Sequence, residues 1–132
     1  MSQNPSDARD LLPDNAPDVV YARFLSEGVL AYQRCDDCAR AVFPPRVLCP
    51  DCGGTSLDWQ RSHGEGTVYS ATTVYPRDGD PYHVALIDVG DGFRMMSNVV
   101  GVAEVPIGAP VRARVEFGDG APRPVFTLGT GR

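Results

Sequence analysis

The chain is expected to be mainly β: a short N-terminal helix, a rubredoxin-like metal ribbon, and then a five-stranded barrel. Three observations carry this expectation. Four cysteines, Cys35, Cys38, Cys49 and Cys52, form two CxxC pairs, and no other cysteine is present. From Gly64 onwards, apolar and polar residues alternate in short runs with the period of a strand. Fourteen glycines and twelve prolines punctuate the 132 residues, which suits turns better than long helices.

Residues 1–17 read as a flexible arm, acidic and polar, carrying Pro5, Pro13 and Pro17 without periodicity. Residues 18–34 read as a helix and a lead-in. Asp18 is a candidate N-cap and Gly28 a candidate stop, with Val20, Phe24 and Leu25 on one face. So short a helix is marginal alone and must pack on something. Val29 to Arg34 then reads as an extended stretch.

Residues 35–62 read as the ribbon. A CxxC pair sets two sulfurs on one tight turn, and two facing turns close a four-sulfur cage with no open position. That chemistry suits one structural zinc per chain; iron in a rubredoxin-like site uses the same knuckles and is the main rival. Gly53 suits the left-handed position after the second knuckle, whereas Ala39 fits the equivalent position less well. Disulfides are disfavoured because nothing marks the chain as secreted. A redox CxxC is disfavoured because no βαβ pattern surrounds it. Loss of the metal is expected to melt the ribbon before the barrel.

Residues 63–132 read as the barrel. Strands are expected over 67–75, 83–89, 93–100, 111–117 and 124–128. Asp91-Gly92 signals a two-residue hairpin, and Pro106 and Gly108 break the chain. Five strands in so short a span, with glycine-rich corners, are what a closed barrel of OB type needs.

Composition excludes some functions. Seventeen acidic residues face twelve basic ones, all of them arginine, for a net charge of −5. A phosphate backbone normally demands a basic footprint, which this chain lacks overall. A single-stranded nucleic-acid OB module nevertheless stands as the alternative, with Tyr69, Tyr75, Tyr82 and Phe93 as stacking candidates. No apolar run is long enough to span a membrane, and the start of the chain is no secretory signal, so a cytoplasmic location is expected. With the thiols committed to metal, only His63, in a glycine-rich turn, and His83, opening a strand, offer a base. No triad-like spacing or phosphate loop is visible. No catalytic residue is therefore expected, and the chain alone is not expected to be an enzyme.

The order of these pieces resembles one family. The segments FLSEGVLAYQRC, CDDCARAVFPPRVLCPDCGG, LDWQRSHGEGTVYSATTVY, FRMMSNVVG, IGAPVRARVEF and RPVF are similar, in order, to the zinc-ribbon/OB-fold family once catalogued as domain of unknown function thirty-five. Ala39 stands where a glycine is common, and His63-Gly64-Glu65-Gly66 replaces a more usual Ser-Gly-x-Gly. The resemblance implies an auxiliary subunit of a thiolase-like acyl-CoA enzyme, in a heteromeric complex for which a heterotetramer is one form, with the chemistry in the partner. Thiolase, acyltransferase or acyl-CoA retro-aldolase activity in lipid or steroid breakdown is the setting it implies. Some members accompany hydratase-like subunits instead. Under that reading Phe43, Pro45 and Arg46 form a stiff loop able to touch the partner or CoA. Packing of Phe43 on the ribbon is equally open. Arg112 and Arg114 could meet CoA phosphates, although a solvated polar face is the commoner reading. Met95 and Met96 fall on opposite faces of one strand, so one of them is expected outside.

Overall fold

A computed structural model describes residues 16–129. The arm expected over residues 1–17 lies almost wholly outside that range. The helix α1 runs Pro17–Ser26, and its cap falls two residues earlier than expected: Ala16, not Asp18, is the N-cap, and Pro17 takes the first helical position. A proline loses nothing there, because that N–H has no partner in a helix. Asp18 instead sits in the first turn, where its charge meets the positive helix end. Gly28 stops the helix as expected, at φ 81°, donating to Leu25 O while Val29 N donates to Phe24 O.

The first sheet has the order β2-β1-β3, from Ala31–Cys35 (β1), Ala41–Val42 (β2) and Leu57–Arg61 (β3). The stretch expected as a lead-in thus supplies its central strand. The second sheet holds Glu65–Val74 (β4), Tyr82–Val89 (β5), Phe93–Asn98 (β6), Pro110–Glu116 (β7) and Arg123–Leu128 (β8), in the order β6-β5-β4-β7-β8. A register shift between Val68 and Ser70 bends the long β4, which pairs with β5 along its length and with β7 at its start. At Gly66 an added Cβ would lie 2.7 Å from Asp88 O, so only glycine lets the two strands approach there.

Two expectations are corrected in detail. The expected closed barrel is not closed by strand pairing: β6 and β8 form no ladder, and one isolated parallel bridge, Val99 to Phe126, is all that joins the two edges of the sheet. Pro124 has no N–H to contribute, and the Ser97 hydroxyl donates to Pro124 O at 3.1 Å across the seam. The β5–β6 turn has three residues, 90–92, because Val89 pairs with Phe93. Gly92, at φ 110°, donates to Val89 O within the turn, while the Asp91 carboxylate reaches back to Ser62 and His63.

The inner faces of β4 to β8 enclose Val68, Ala85, Ile87, Val89, Phe93, Met95, Val99, Val111 and Phe126. The same core continues into Leu30 and Tyr32 of the ribbon side, with Tyr21, Ala41 and Phe43 packed against it. Tyr32 and Phe43 both stand against Phe93, with ring centroids 5.0 and 4.9 Å away. Ribbon and barrel therefore share one hydrophobic core.

Candidate functional site

The clearest site is the cysteine cage. Cys35 ends β1, Cys38 follows one turn later, and Cys49 and Cys52 form the facing turn. The knuckles repeat one hydrogen-bond pattern. Ala39 N donates to Cys35 O and Gly53 N to Cys49 O, while Cys35 N donates to Arg40 O and Cys49 N to Gly54 O. Both turns need a left-handed residue, and Ala39 supplies it at φ 66° where Gly53 has φ 79°. An alanine there is strained by about 1 kcal/mol or somewhat more.

All four sulfurs lie within 4.8 Å of one another, with Cys35–Cys52 at 3.6 Å and Cys38–Cys49 at 3.7 Å. A tetrahedral zinc with bonds of about 2.3 Å needs sulfurs about 3.8 Å apart, so the set fits that ion and is far too wide for disulfides. The electrostatics agree. Backbone N–H groups of Cys52 and Asp51 point at Cys49 Sγ and lower that thiol to about 7. The Gly54 N–H does the same for Cys52, but Cys35, burial and the other two sulfurs outweigh it and push Cys52 up to about 12. Four crowded thiols resist joint ionisation unless a cation neutralises them. The cysteines hold a structural zinc.

Two further constellations involve the histidines. The Asp91 side chain, 4% exposed, accepts from Ser62 Oγ at 2.5 Å and lies 3.0 Å from His63 Nδ1. Burial alone would raise this carboxyl, yet the bonds from Ser62 and His63 hold it below its ordinary value. Serine and histidine both bond the aspartate and not each other, so the histidine is not placed to take the hydroxyl proton as in a serine–histidine–aspartate triad. The group instead ties the end of the ribbon to the β5–β6 turn. His83 lies inside β5, with Nε2 3.2 Å from Val102 O and Nδ1 3.0 Å from Thr73 Oγ1. Both ring nitrogens are engaged. An open cleft of about 630 Å³ runs past His83, Asn98, Val100 and Arg123. Arg123 is itself held by Asn98 and Glu116.

The candidate contact residues fall on two elements. Phe43 is half-buried on Phe93, Pro45 is half-buried, and Arg46 is exposed. Their loop also carries Val47 and Leu48, 69% and 51% exposed, which the sequence did not single out. The buried Gln33 holds this loop, its amide donating to Arg46 O at 2.9 Å and accepting from Arg46 N at 2.7 Å. No sequence pattern marks Gln33, because its partner is set by the fold. Arg112 and Arg114 project from β7 beside Glu65 and Glu116, and with Arg61 and His63 they line a smaller cleft. Of the aromatics offered for base stacking, Tyr69, Tyr75 and Tyr82 are exposed, but Phe93 is buried and Arg94 already covers the Tyr69 ring at 3.6 Å. Met95 is buried and Met96 exposed, as alternation requires. No helix among the described residues is long and apolar enough to cross a membrane.

Known proteins share this arrangement. A family model described as the ChsH2 rubredoxin-like zinc ribbon domain matches residues 24–58, and one described as the ChsH2 C-terminal OB-fold domain matches residues 59–116. A probable enoyl-CoA hydratase alpha subunit of Thermomonospora curvata is 38% identical over 88 residues, 62% of this chain and 28% of that protein. A DUF35 domain-containing scaffold protein of Methanocaldococcus jannaschii is 33% identical over 88 residues, 61% of this chain and 62% of that protein. The match thus spans under two thirds of either relative. Among solved structures, one described as the Ltp2-ChsH2(DUF35) aldolase aligns over 97% of this chain and 98% of its own, at 29% identity and a TM-score of 0.73.

Proposed function

This chain belongs to the ChsH2-type zinc-ribbon/OB-fold family, and from that premise we propose that it is a cytoplasmic, non-catalytic subunit that binds and stabilises a thiolase-fold acyl-CoA enzyme. The observation that carries the reading is its near full-length likeness to a chain of the Ltp2-ChsH2(DUF35) aldolase. The residue inventory supports it. The thiols are taken by metal, Asp91 stands between Ser62 and His63, and both nitrogens of His83 are engaged. Nucleophile and base then belong to the partner, which performs acyl transfer or retro-aldol cleavage of a CoA thioester in lipid or steroid breakdown. Arg112 and Arg114 are the residues proposed to help hold the CoA phosphates. The assembly proposed is heteromeric, with a heterotetramer as its form.

Co-expression with a thiolase-fold acyl-CoA enzyme from the same genome tests the reading. Size exclusion with light scattering should give one species containing both, and activity should require both. Persistent separate elution sinks the proposal. A hydratase-like partner is the second reading, favoured by the 38% identity to a protein named as a probable enoyl-CoA hydratase alpha subunit. Assaying the purified complex for hydration against carbon–carbon cleavage separates the two.

A further inference from the structure

We infer that residues 44–48 form a preformed loop whose exposed Val47 and Leu48 dock on an apolar patch of the enzyme subunit, with Arg46 meeting a carboxylate at the patch rim. The inference rests on the auxiliary-subunit reading above and assigns its contact.

The loop is defined by what holds it and by what it leaves uncovered. At its base Phe43 stacks on Phe93 at 4.9 Å, and Tyr21 meets Phe43 edge-on at 5.8 Å. At its far end Leu48 is followed directly by Cys49, a metal ligand only 2% exposed. In its middle Gln33, 3% exposed, bonds both the N–H and the C=O of Arg46. Burying an amide is unfavourable unless its bonds are made, and here they are made to one residue's backbone. Pro44 and Pro45 remove further freedom. The loop is thus ordered before any partner arrives, which removes an entropy cost from association.

Its tip is apolar. Val47 and Leu48 stand side by side, 69% and 51% exposed. Isolated exposed aliphatics are ordinary, but two adjacent ones on a braced loop are poised for burial. Charge narrows the chemistry of the receiving patch. Among the described residues the Arg46 guanidinium has no hydrogen-bond or ion-pair partner, so a carboxylate opposite it would complete the contact. One cation on a chain of net charge −5 is a poor anchor for an anionic membrane or a nucleic acid and a sufficient one for a protein surface.

The test measures binding of the full-length chain to the co-purifying thiolase-fold subunit by calorimetry. The variants are Val47→Asp with Leu48→Asp, Arg46→Glu, and Gln33→Ala. Met96→Asp, at an exposed site on the barrel, is the control. The tip variants should keep their zinc and their thermal midpoint, since neither side chain is buried. The Val47→Asp/Leu48→Asp pair should weaken binding about 30-fold or more. Arg46→Glu should weaken it about 5- to 10-fold and flatten its salt dependence. Gln33→Ala leaves the tip side chains intact and should still weaken binding several-fold, whereas Met96→Asp should bind like the parent. Parental binding by the double variant overturns the docking contact and leaves the auxiliary role standing. Failure of the parent chain to bind the subunit overturns both. Concentration-dependent self-association that the double variant abolishes assigns the tip to a second copy and overturns the occupant named here.

Discussion

The ribbon and the barrel achieve order in different ways. The barrel encloses aliphatic and aromatic side chains between curved strands, with Ile87, Val111, Val125 and Phe126 at 0–1% exposure. On its metal face the ribbon encloses chiefly sulfur: Cys35, Val42 and Cys49, with Cys38 and Leu57 against them. Three of its other large apolar residues, Leu30, Tyr32 and Phe43, turn the other way and join the barrel's core. One small sheet thus has a metal for one core and a neighbour for the other. Too few residues are available for the ribbon to bury a core of its own, and an ion at the centre replaces what side chains cannot supply.

Metal removal is the strongest way to break this contrast. Chelation, or Cys49→Ser, should abolish one bound zinc per chain and cost on the order of 5 kcal/mol or more. Trp59 on β3 lies against Phe24 at 5.6 Å and reports the ribbon by fluorescence. Amide exchange at Ile87 reports the barrel. The sequence led us to expect the ribbon to melt first and separately. The shared contacts of Tyr32 and Phe43 with Phe93 revise this: both reporters should shift together. Unchanged protection at Ile87 in the metal-free chain would restore two independent units.

Phe93→Ala attacks the same junction from the barrel side. Loss of a buried ring should cost about 3–5 kcal/mol, and Trp59 should report it although it belongs to the other sheet. A loss confined to barrel probes would argue against the common core. Below these comes the polar tie. Because the Asp91 carboxyl is held below its ordinary value, its contribution is present above about pH 4 and disappears as pH falls through the lowered folded value. Denaturant titrations between pH 3 and 6 should show this acid-side slope, and Asp91→Asn should remove it along with about 1 kcal/mol of stability at neutral pH. The smallest effect sharpens the likeness of the knuckles. Ala39→Gly should raise the thermal midpoint, worth about 0.5–1 kcal/mol, by relieving a left-handed alanine.

Features carried by short-range pattern were legible in the sequence. Cysteine spacing identified the cage, and alternation located the barrel strands to within a residue or two, because a strand's period is local. Features set by distant contacts were not. Gln33 finds Arg46 thirteen positions away, and Ser62 finds Asp91 across twenty-nine. Phe93 reads as an ordinary strand residue offered for stacking, yet the ribbon covers it. Phe43 and Arg46 were legible as members of a stiff loop. That Phe43 braces it while Val47 and Leu48 project depends on which way each side chain turns once Cys49 is anchored, and composition cannot say that.

The single-chain span of the cage has a consequence for biosynthesis. Cys35 to Cys52 form a complete ligand set before any barrel strand has been made, whereas Phe93 and Asp91 follow much later. At ordinary translation speeds the gap is roughly two to eight seconds. Throughout that interval Leu30, Tyr32 and Phe43 lack the barrel residues that complete their core. Zinc supply in the cell therefore decides whether this apolar flank waits on an ordered ribbon or on loose nascent chain.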